Sequence, residues 1–263
     1  MSACSLVVLP LIRRYAYEVF LRTHLALSVS LMVGLWLHLS PQGGLTRTLL
    51  VGIMITFGVT TFFQWARQLW RNLSPQLQLS QIVQVEQSGN ALFLEIDISP
   101  RLHFQAGQSV FITILTMHCA SWLQSHPFVI TWWDQNANTG RTHIHLMIRR
   151  RNGWTRRIMD SPYRLRDMRT WLDGPYGSNH DFSDFASVLF VASETGIFAV
   201  LPFLKDLTDR KRQGTARTRR VKVVVEMCEF HTRLRKWMDI ILDESEQAQL
   251  VSFVRRSCWV ATI

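Results

Sequence analysis

His24 and His38 stand fourteen residues apart in a stretch that is otherwise almost wholly apolar. At ~100° and ~1.5 Å per residue, a helix would bring them to within about 40° of one face and separate them by roughly 21 Å along its axis. Ionisable side chains are costly inside a membrane helix, so their presence points to function. Two imidazoles on one face, one near each leaflet, could each ligate a haem iron as a stacked pair crossing the bilayer. The plainer alternative is that both sit at the membrane interfaces and only hydrogen-bond.

Further along are Ser125-His126-Pro127-Phe128-Val129-Ile130-Thr131 and the basic turn Arg149-Arg150-Arg151-Asn152-Gly153-Trp154-Thr155-Arg156. Such a turn offers backbone N–H groups, a hydroxyl and guanidinium groups to a diphosphate, or else it is an edge strand with a basic surface. Asp173-Gly174-Pro175-Tyr176-Gly177 reads as a tight turn, and Ser193-Glu194-Thr195-Gly196 as a loop leading into a helix. One glycine in that loop is a poor dinucleotide fingerprint. His143 and His145 share one face of an expected strand, but with no third ligand nearby a solvated face is the better reading than a metal site. The basic run Asp209-Arg210-Lys211-Arg212, continuing to Arg217, Arg219 and Arg220, is expected to be a solvated loop facing anionic lipid or a phosphate, and not a nucleic-acid site.

These residues need two kinds of scaffold. Val19 to Leu39 and Leu45 to Trp65 are apolar stretches of membrane-spanning length, with spans expected at about 19–39 and 45–66 and a turn-rich loop, Ser40 to Gly44, between them. Arg13 and Arg14 before the pair, and Arg67 and Arg71 after it, place both ends in the cytosol by the positive-inside bias. From Leu79 the pattern changes to short alternating runs, Ile82–Val85, Ala91–Ile96, Val110–Ile114 and Thr142–Arg149, which suggest an antiparallel barrel. Strand, loop and helix then alternate: Val188–Ala192, Ile197–Leu207, Val221–Val225, Thr232–Leu242 and Leu250–Val254. That order indicates a parallel α/β nucleotide-binding unit.

The composition agrees with this division. The chain has 263 residues, 48% of them hydrophobic, and a formal net charge of +10, with the apolar excess concentrated before residue 70. Cys4, Cys119, Cys228 and Cys258 are scattered without a C-x-x-C pair, which argues against a zinc or disulfide framework and suits reduced thiols. The apolar run Leu6 to Ile12 is short, ends in Arg13-Arg14 and has no preceding charge, unlike a cleavable signal peptide.

Taken in order, Arg13 to Leu21, the His24/His38 pair, His126-Pro127-Phe128 with Trp132-Trp133, Gly153-Trp154-Thr155, Asp173 to Gly177 and Trp237-Met238 resemble the ferric reductase and NADPH oxidase superfamily, and most closely the fungal ferric-chelate reductases. The resemblance implies a membrane α-helical segment (1–74) followed by a ferredoxin-reductase-like module, an antiparallel β-barrel FAD domain (75–184) and an incomplete parallel α/β NADPH-binding domain (185–263). It implies that His126, Pro127, Phe128 and Val129 line the flavin ring and that Gly153, Trp154 and Thr155 approach the FAD phosphates. Gly174, Pro175, Tyr176, Gly177, Thr195 and Gly196 would then lie near NADPH, with His24 and His38 on haem b. Hydride would pass from NADPH to FAD, and single electrons through two haems to a ferric chelate, or to dioxygen in the NADPH oxidases. An integral protein of the plasma membrane, with its FAD domain in the cytosol, is the expectation.

Four departures qualify it. Val129 replaces the family's Ser or Thr after His-Pro-Phe, and the Glu194 carboxylate in the first nucleotide loop would repel a pyrophosphate. The chain stops at Ile263, before the family's C-terminal Cys-Gly-Pro segment, and it begins about where the preceding helix would end. Each haem would then need its second histidine from a partner chain. A non-catalytic fragment of a ferric reductase is the remaining alternative.

Overall fold

The computed structural model describes residues 17–39, 44–73, 79–115, 125–135, 141–151, 154–160, 162–178, 180–227, 231–246 and 250–256. The four cysteines, Gly153, Arg13 to Ala16 and most of the 40–44 loop lie outside these residues. The chain divides into two units, Met1–Gln68 and Leu69–Ile263.

The first unit holds α1 (Tyr17–Leu39) and most of α2 (Gly44–Asn72). By length and composition α2 is long and apolar enough to cross a membrane. In α1 the apolar stretch is the shorter Ala26–Leu39, because Arg22 and His24 interrupt its first turns. Thr48, Thr56 and Thr60 of α2 donate their hydroxyls to the carbonyls of Gly44, Gly52 and Thr56, so the helix hides its own polar groups. Leu49, Ile53, Phe57, Phe62 and Phe63 remain exposed. The helix runs past the expected end at residue 66 and stops at Asn72.

In the second unit six antiparallel strands follow: β1 (Gln81–Ser88), β2 (Ala91–Asp97), β3 (Ser109–Ile114), β4 (His126–Gln135), β5 (Thr142–Arg149) and β6 (Thr170–Tyr176). Their order is β1-β2-β5-β4-β3-β6. Gln81 bridges Arg169, the Ile82 N–H donates to Met168 at 3.0 Å, and the Asp167 N–H donates to Ile82 at 2.8 Å. The lead-in to β6 thus returns to β1 and closes the ring. Alternate residues point inward, and Ile82, Leu92, Leu94, Ile96, Val110, Ile112, Ile144, Leu146 and Ile148 fill the interior. The short helix α3 (Trp154–Met159) plugs one end with Trp154, Ile158 and Met159.

Asp173 to Gly177 is not the expected tight turn. β6 runs through it to Tyr176, and a register shift between Ser109 and Phe111 absorbs one extra residue on β6 opposite them. Gly174 sits there at φ +134, where a Cβ would press on the Ser109 carbonyl oxygen at 3.2 Å and on the Tyr176 ring at 3.3 Å.

The remaining elements are β7 (Ser187–Ser193), α4 (Ile197–Arg212), β8 (Arg220–Glu226), α5 (Thr232–Glu246) and β9 (Val251–Arg256). The three strands pair in parallel as β7-β8-β9. α4 and α5 cover one face through Phe198, Leu201, Leu204, Leu234, Trp237 and Ile241. On the other face Leu189 and Val191 are 62% and 71% exposed. The basic run 209–212 is the last turn of α4 and not a solvated loop, because Arg210 pairs with Asp206 at 2.9 Å and with Asp181 at 3.0 Å, extending the helix.

Candidate functional site: an aromatic platform on the barrel

The expected flavin segment lies on β4, and strand alternation divides it between two surfaces. His126 and Phe128 point toward Trp154, with the His126 and Trp154 rings stacked at 4.3 Å and Phe128 tilted against Trp154 at 6.0 Å. Pro127 and Val129 point out of the barrel and are exposed. Pairing then builds two cross-strand rows on that outer face. Val129, Ser109 and Tyr176 form one, and Pro127, Phe111 and Asp173 form the other. The Phe111 and Tyr176 rings meet edge to face at 5.6 Å, and the Tyr176 hydroxyl donates to Asp173 at 2.6 Å. Tyr176, exposed on this platform, therefore shares a surface with the outward-facing β4 residues. Phe111 and Ser109 were missed from the sequence. The unbroken run Val110-Phe111-Ile112 conceals which of its residues face out.

This surface fits a flavin. A planar apolar ring system requires an exposed apolar and aromatic face of this kind. Phosphates require cations, and Arg149, Arg151, Arg156 and Arg157 are exposed around the start of α3, while Arg150 is held by Asp160 at 2.8 Å. The Thr155 hydroxyl is already engaged with the Arg151 backbone, accepting from its N–H at 2.9 Å and donating to its carbonyl at 3.0 Å. Gly153 lies outside the described residues.

Pro175 is half-buried within β6, and Gly177 follows at φ +114, its carbonyl 3.4 Å from the Gln108 side-chain amide. Thr195 and Gly196 lie elsewhere, where β7 passes through a single 3-10 turn (Glu194–Gly196) into α4. Glu194 takes φ +48, a left-handed conformation uncommon for a residue with a side chain, and is exposed at the carboxyl end of β7. Ser193, Glu226 and Arg256 are in register there, at the edge where open α/β sheets hold their ligands. His24 and His38 lie on α1, both exposed, and no group of three metal-binding side chains occurs among the described residues.

His143 and His145 are not on a solvated face. They are 8% and 3% exposed, and Trp237 of α5 packs against the His145 ring at 5.4 Å. His143 Nδ1 lies 3.0 Å from Glu95, and His145 Nε2 lies 3.2 Å from Asp134. Burial pushes the Asp134 carboxyl up, but the hydrogen bond with His145 and the nearby Lys205 ammonium oppose it, and the group is held below its ordinary value.

Residues 76–180 match the family of FAD-binding domains. Ferric/cupric reductase transmembrane component 7 of Saccharomyces cerevisiae is 27% identical over 198 residues, covering 75% of this chain and 30% of that protein. Ferric reductase transmembrane component 6 of the same yeast is 28% identical over 206 residues, covering 74% and 27%. The chain thus spans about 30% of the length of these curated relatives. A mutant ferredoxin-NADP+ reductase from Plasmodium falciparum, solved with 2'P-AMP, superposes with a TM-score of 0.51 at 14% identity, covering 70% of this chain and 72% of that one, which shows a common fold. Residues 76–180 thus match FAD-binding domains, and over 75% of its length the chain is similar to a ferric/cupric reductase transmembrane component.

Proposed function

We propose that this chain is the FAD-binding region, with an adjoining nucleotide-binding region, of a membrane oxidoreductase that moves electrons from NADPH through FAD and haem to a ferric chelate. The observation that carries the reading is the outer face formed by exposed Pro127, Val129 and Tyr176 with half-buried Phe111, on a closed barrel whose residues 76–180 match FAD-binding domains. FAD, when bound, supplies the exchange between two-electron hydride chemistry and one-electron transfer. The protein's own part is to bind and orient. The platform holds the ring, Trp154 with His126 and Phe128 stiffens the strand behind it, and the arginines from 149 to 157 neutralise the diphosphate.

We divide the chain into a membrane segment at 1–74, the FAD barrel at 75–184 and the NADPH region at 185–263. In the last of these, Thr195 and Gly196 approach the nucleotide and Glu194 weakens its pyrophosphate contact. His24 and His38 are assigned to haem b, whose second ligands come from another helix. α2 is assigned to the lipid bilayer of the plasma membrane, with the barrel in the cytosol.

The test is reconstitution of the purified chain with FAD, followed by anaerobic addition of NADPH. Retention of the flavin's visible absorbance through gel filtration, then its bleaching by NADPH, is expected. A chain that stays folded and retains no flavin overturns the reading. In membranes, ferric-chelate reduction in excess of superoxide output separates a metal reductase from an oxidase acting on dioxygen.

A further inference from the structure

One side chain of α5 engages three strands of the barrel. Arg233 Nε donates to Glu86 of β1 at 2.7 Å, and Nη2 donates to Gln84 of the same strand at 3.3 Å. Its Nη1 lies 2.9 Å from His145 Nδ1 on β5 and 3.6 Å from a Glu95 oxygen on β2. The guanidinium is largely buried by these contacts. Around the same seam Trp132 of β4 stacks on Trp237 of α5 at 5.6 Å and 12°, and Lys205 of α4 lies 4.8 Å over Trp132. Phe93 of β2 fills the gap between Phe198 and Trp237.

A guanidinium has five donors, no acceptor, and no neutral form in proteins. For Arg233 to bond His145 Nδ1, that nitrogen must present its lone pair. The imidazole is therefore neutral, with its proton on Nε2 facing Asp134 at 3.2 Å. Protonation of Nδ1 would set N–H against N–H. The nearest carboxylate for the new proton is Glu95, 3.8 Å from Nδ1 and already bonded to His143 at 3.0 Å. Arg233 would have to withdraw toward Glu86 and Gln84 for His145 to reach it. The groups facing His145 are thus Glu95, Asp134, His143, Arg233 and, past Trp132, Lys205.

We propose that Arg233 is a positioning residue that fastens the α/β half to the barrel through neutral His145, and that protonation of His145 releases it. The consequence for catalysis rests on the proposed function, in which the flavin and its reductant occupy the barrel and the α/β half respectively. Their alignment would then be lost on protonation of His145.

The experiment uses the full chain in detergent and reads the exciton circular dichroism of the Trp132–Trp237 stack, assigned by subtracting Trp132→Phe. The couplet should persist at alkaline pH and lose at least about half its amplitude as the solution is acidified. His145→Gln, whose amide accepts from Arg233 and donates to Asp134 without titrating, should keep the couplet throughout, and Arg233→Ala should weaken it at every pH. A wild-type couplet that ignores pH, a His145→Gln chain that titrates like wild type, or an Arg233→Ala chain with full amplitude overturns the proposal. Should either variant not fold, nitrogen NMR of wild-type histidines decides: a proton on His145 Nδ1 at neutral pH is equally fatal. NADPH bleaching of bound flavin should follow the couplet. A titrating couplet without any bleaching leaves the fastening intact and removes the proposed function instead.

Discussion

Asn72, the last residue of α2, is 2% exposed and completes a strand-like pairing with β6. Its side-chain amide donates to the Leu172 carbonyl at 2.7 Å, and its side-chain oxygen accepts from the Leu172 N–H at 2.7 Å. Replacing it with Leu keeps the approximate volume and strands both groups of Leu172, which is itself buried. Each unsatisfied buried group costs about 1–3 kcal/mol, so the pair sets a loss of roughly 2–6 kcal/mol. The segment can relieve this by fraying to admit water. That would sacrifice the Ser99 and Arg101 bonds to the Leu73 carbonyl at 3.1 and 3.4 Å, so the lower end is about 2 kcal/mol. For a unit of this size a loss of about 3 kcal/mol lowers the melting temperature by roughly 6–12 °C.

Asn72→Asp sharpens the test. A carboxylate still accepts from the Leu172 N–H but offers the Leu172 carbonyl no proton, whereas the protonated acid restores the donor. The variant's folded-state pKa is therefore raised above its unfolded value of about 3.9. Its stability relative to wild type should be greatest below that pH and should fall as pH rises through the folded value. Urea denaturation of the detergent-solubilised chain, followed by tryptophan fluorescence at several pH values, measures both variants. An Asn72→Leu chain within about 0.5 kcal/mol of wild type, or an Asn72→Asp difference flat in pH, refutes the reasoning.

Two further outcomes follow from the same structure. Gly107, at φ +82 with the Phe203 ring lying where a Cβ would go, should lose about 1–3 kcal/mol on change to Ala, and Phe203→Ala should recover part of it in a double-mutant cycle by urea denaturation. The Asp181 carboxyl is held below its ordinary 3.8, first by the Ser183 hydrogen bonds and then by Arg210. Its contribution is present above that pH and disappears as pH falls through the lowered value, so Asp181→Ala should flatten the acid limb of a melting-temperature profile while leaving a small loss at neutral pH.

The elements were legible in the sequence because they rest on local periodicity. Alternation in Ala91–Ile96 and Thr142–Arg149 gave β2 and β5 within a residue, and the apolar strand before Ser193 gave β7. What local pattern cannot encode is which non-sequential strands become neighbours. The platform exists only because β3 lies between β4 and β6, and that order puts Tyr176 in one row with Val129, across Ser109, although 47 positions separate them in the chain. Asp173 to Gly177 looked like a turn for a related reason. Gly and Pro signal departure from regular geometry, and a bulge inside a strand satisfies that signal as well as a reversal does.

His145 shows the limit most clearly. Two histidines at i and i+2 on a strand, among polar neighbours, carry no mark that distinguishes a wet face from one that a distant helix will cover. The covering residue, Arg233, lies 88 positions away in a run of basic residues that reads as a solvated helix surface. Burying that charge is tolerable only because Gln84, Glu86, Glu95 and His145 together satisfy its donors, and removing one partner leaves the rest desolvated. Such a contact contributes little net stability compared with an apolar seam, yet it tolerates very few relative orientations of its two sides. On the proposed function, two ligands must be aligned on two halves of one chain, and that needs an orientational constraint more than added stability. This is why the polar seam, and not the apolar patch of Phe93 and Phe198 beside it, is the place to look for control of alignment.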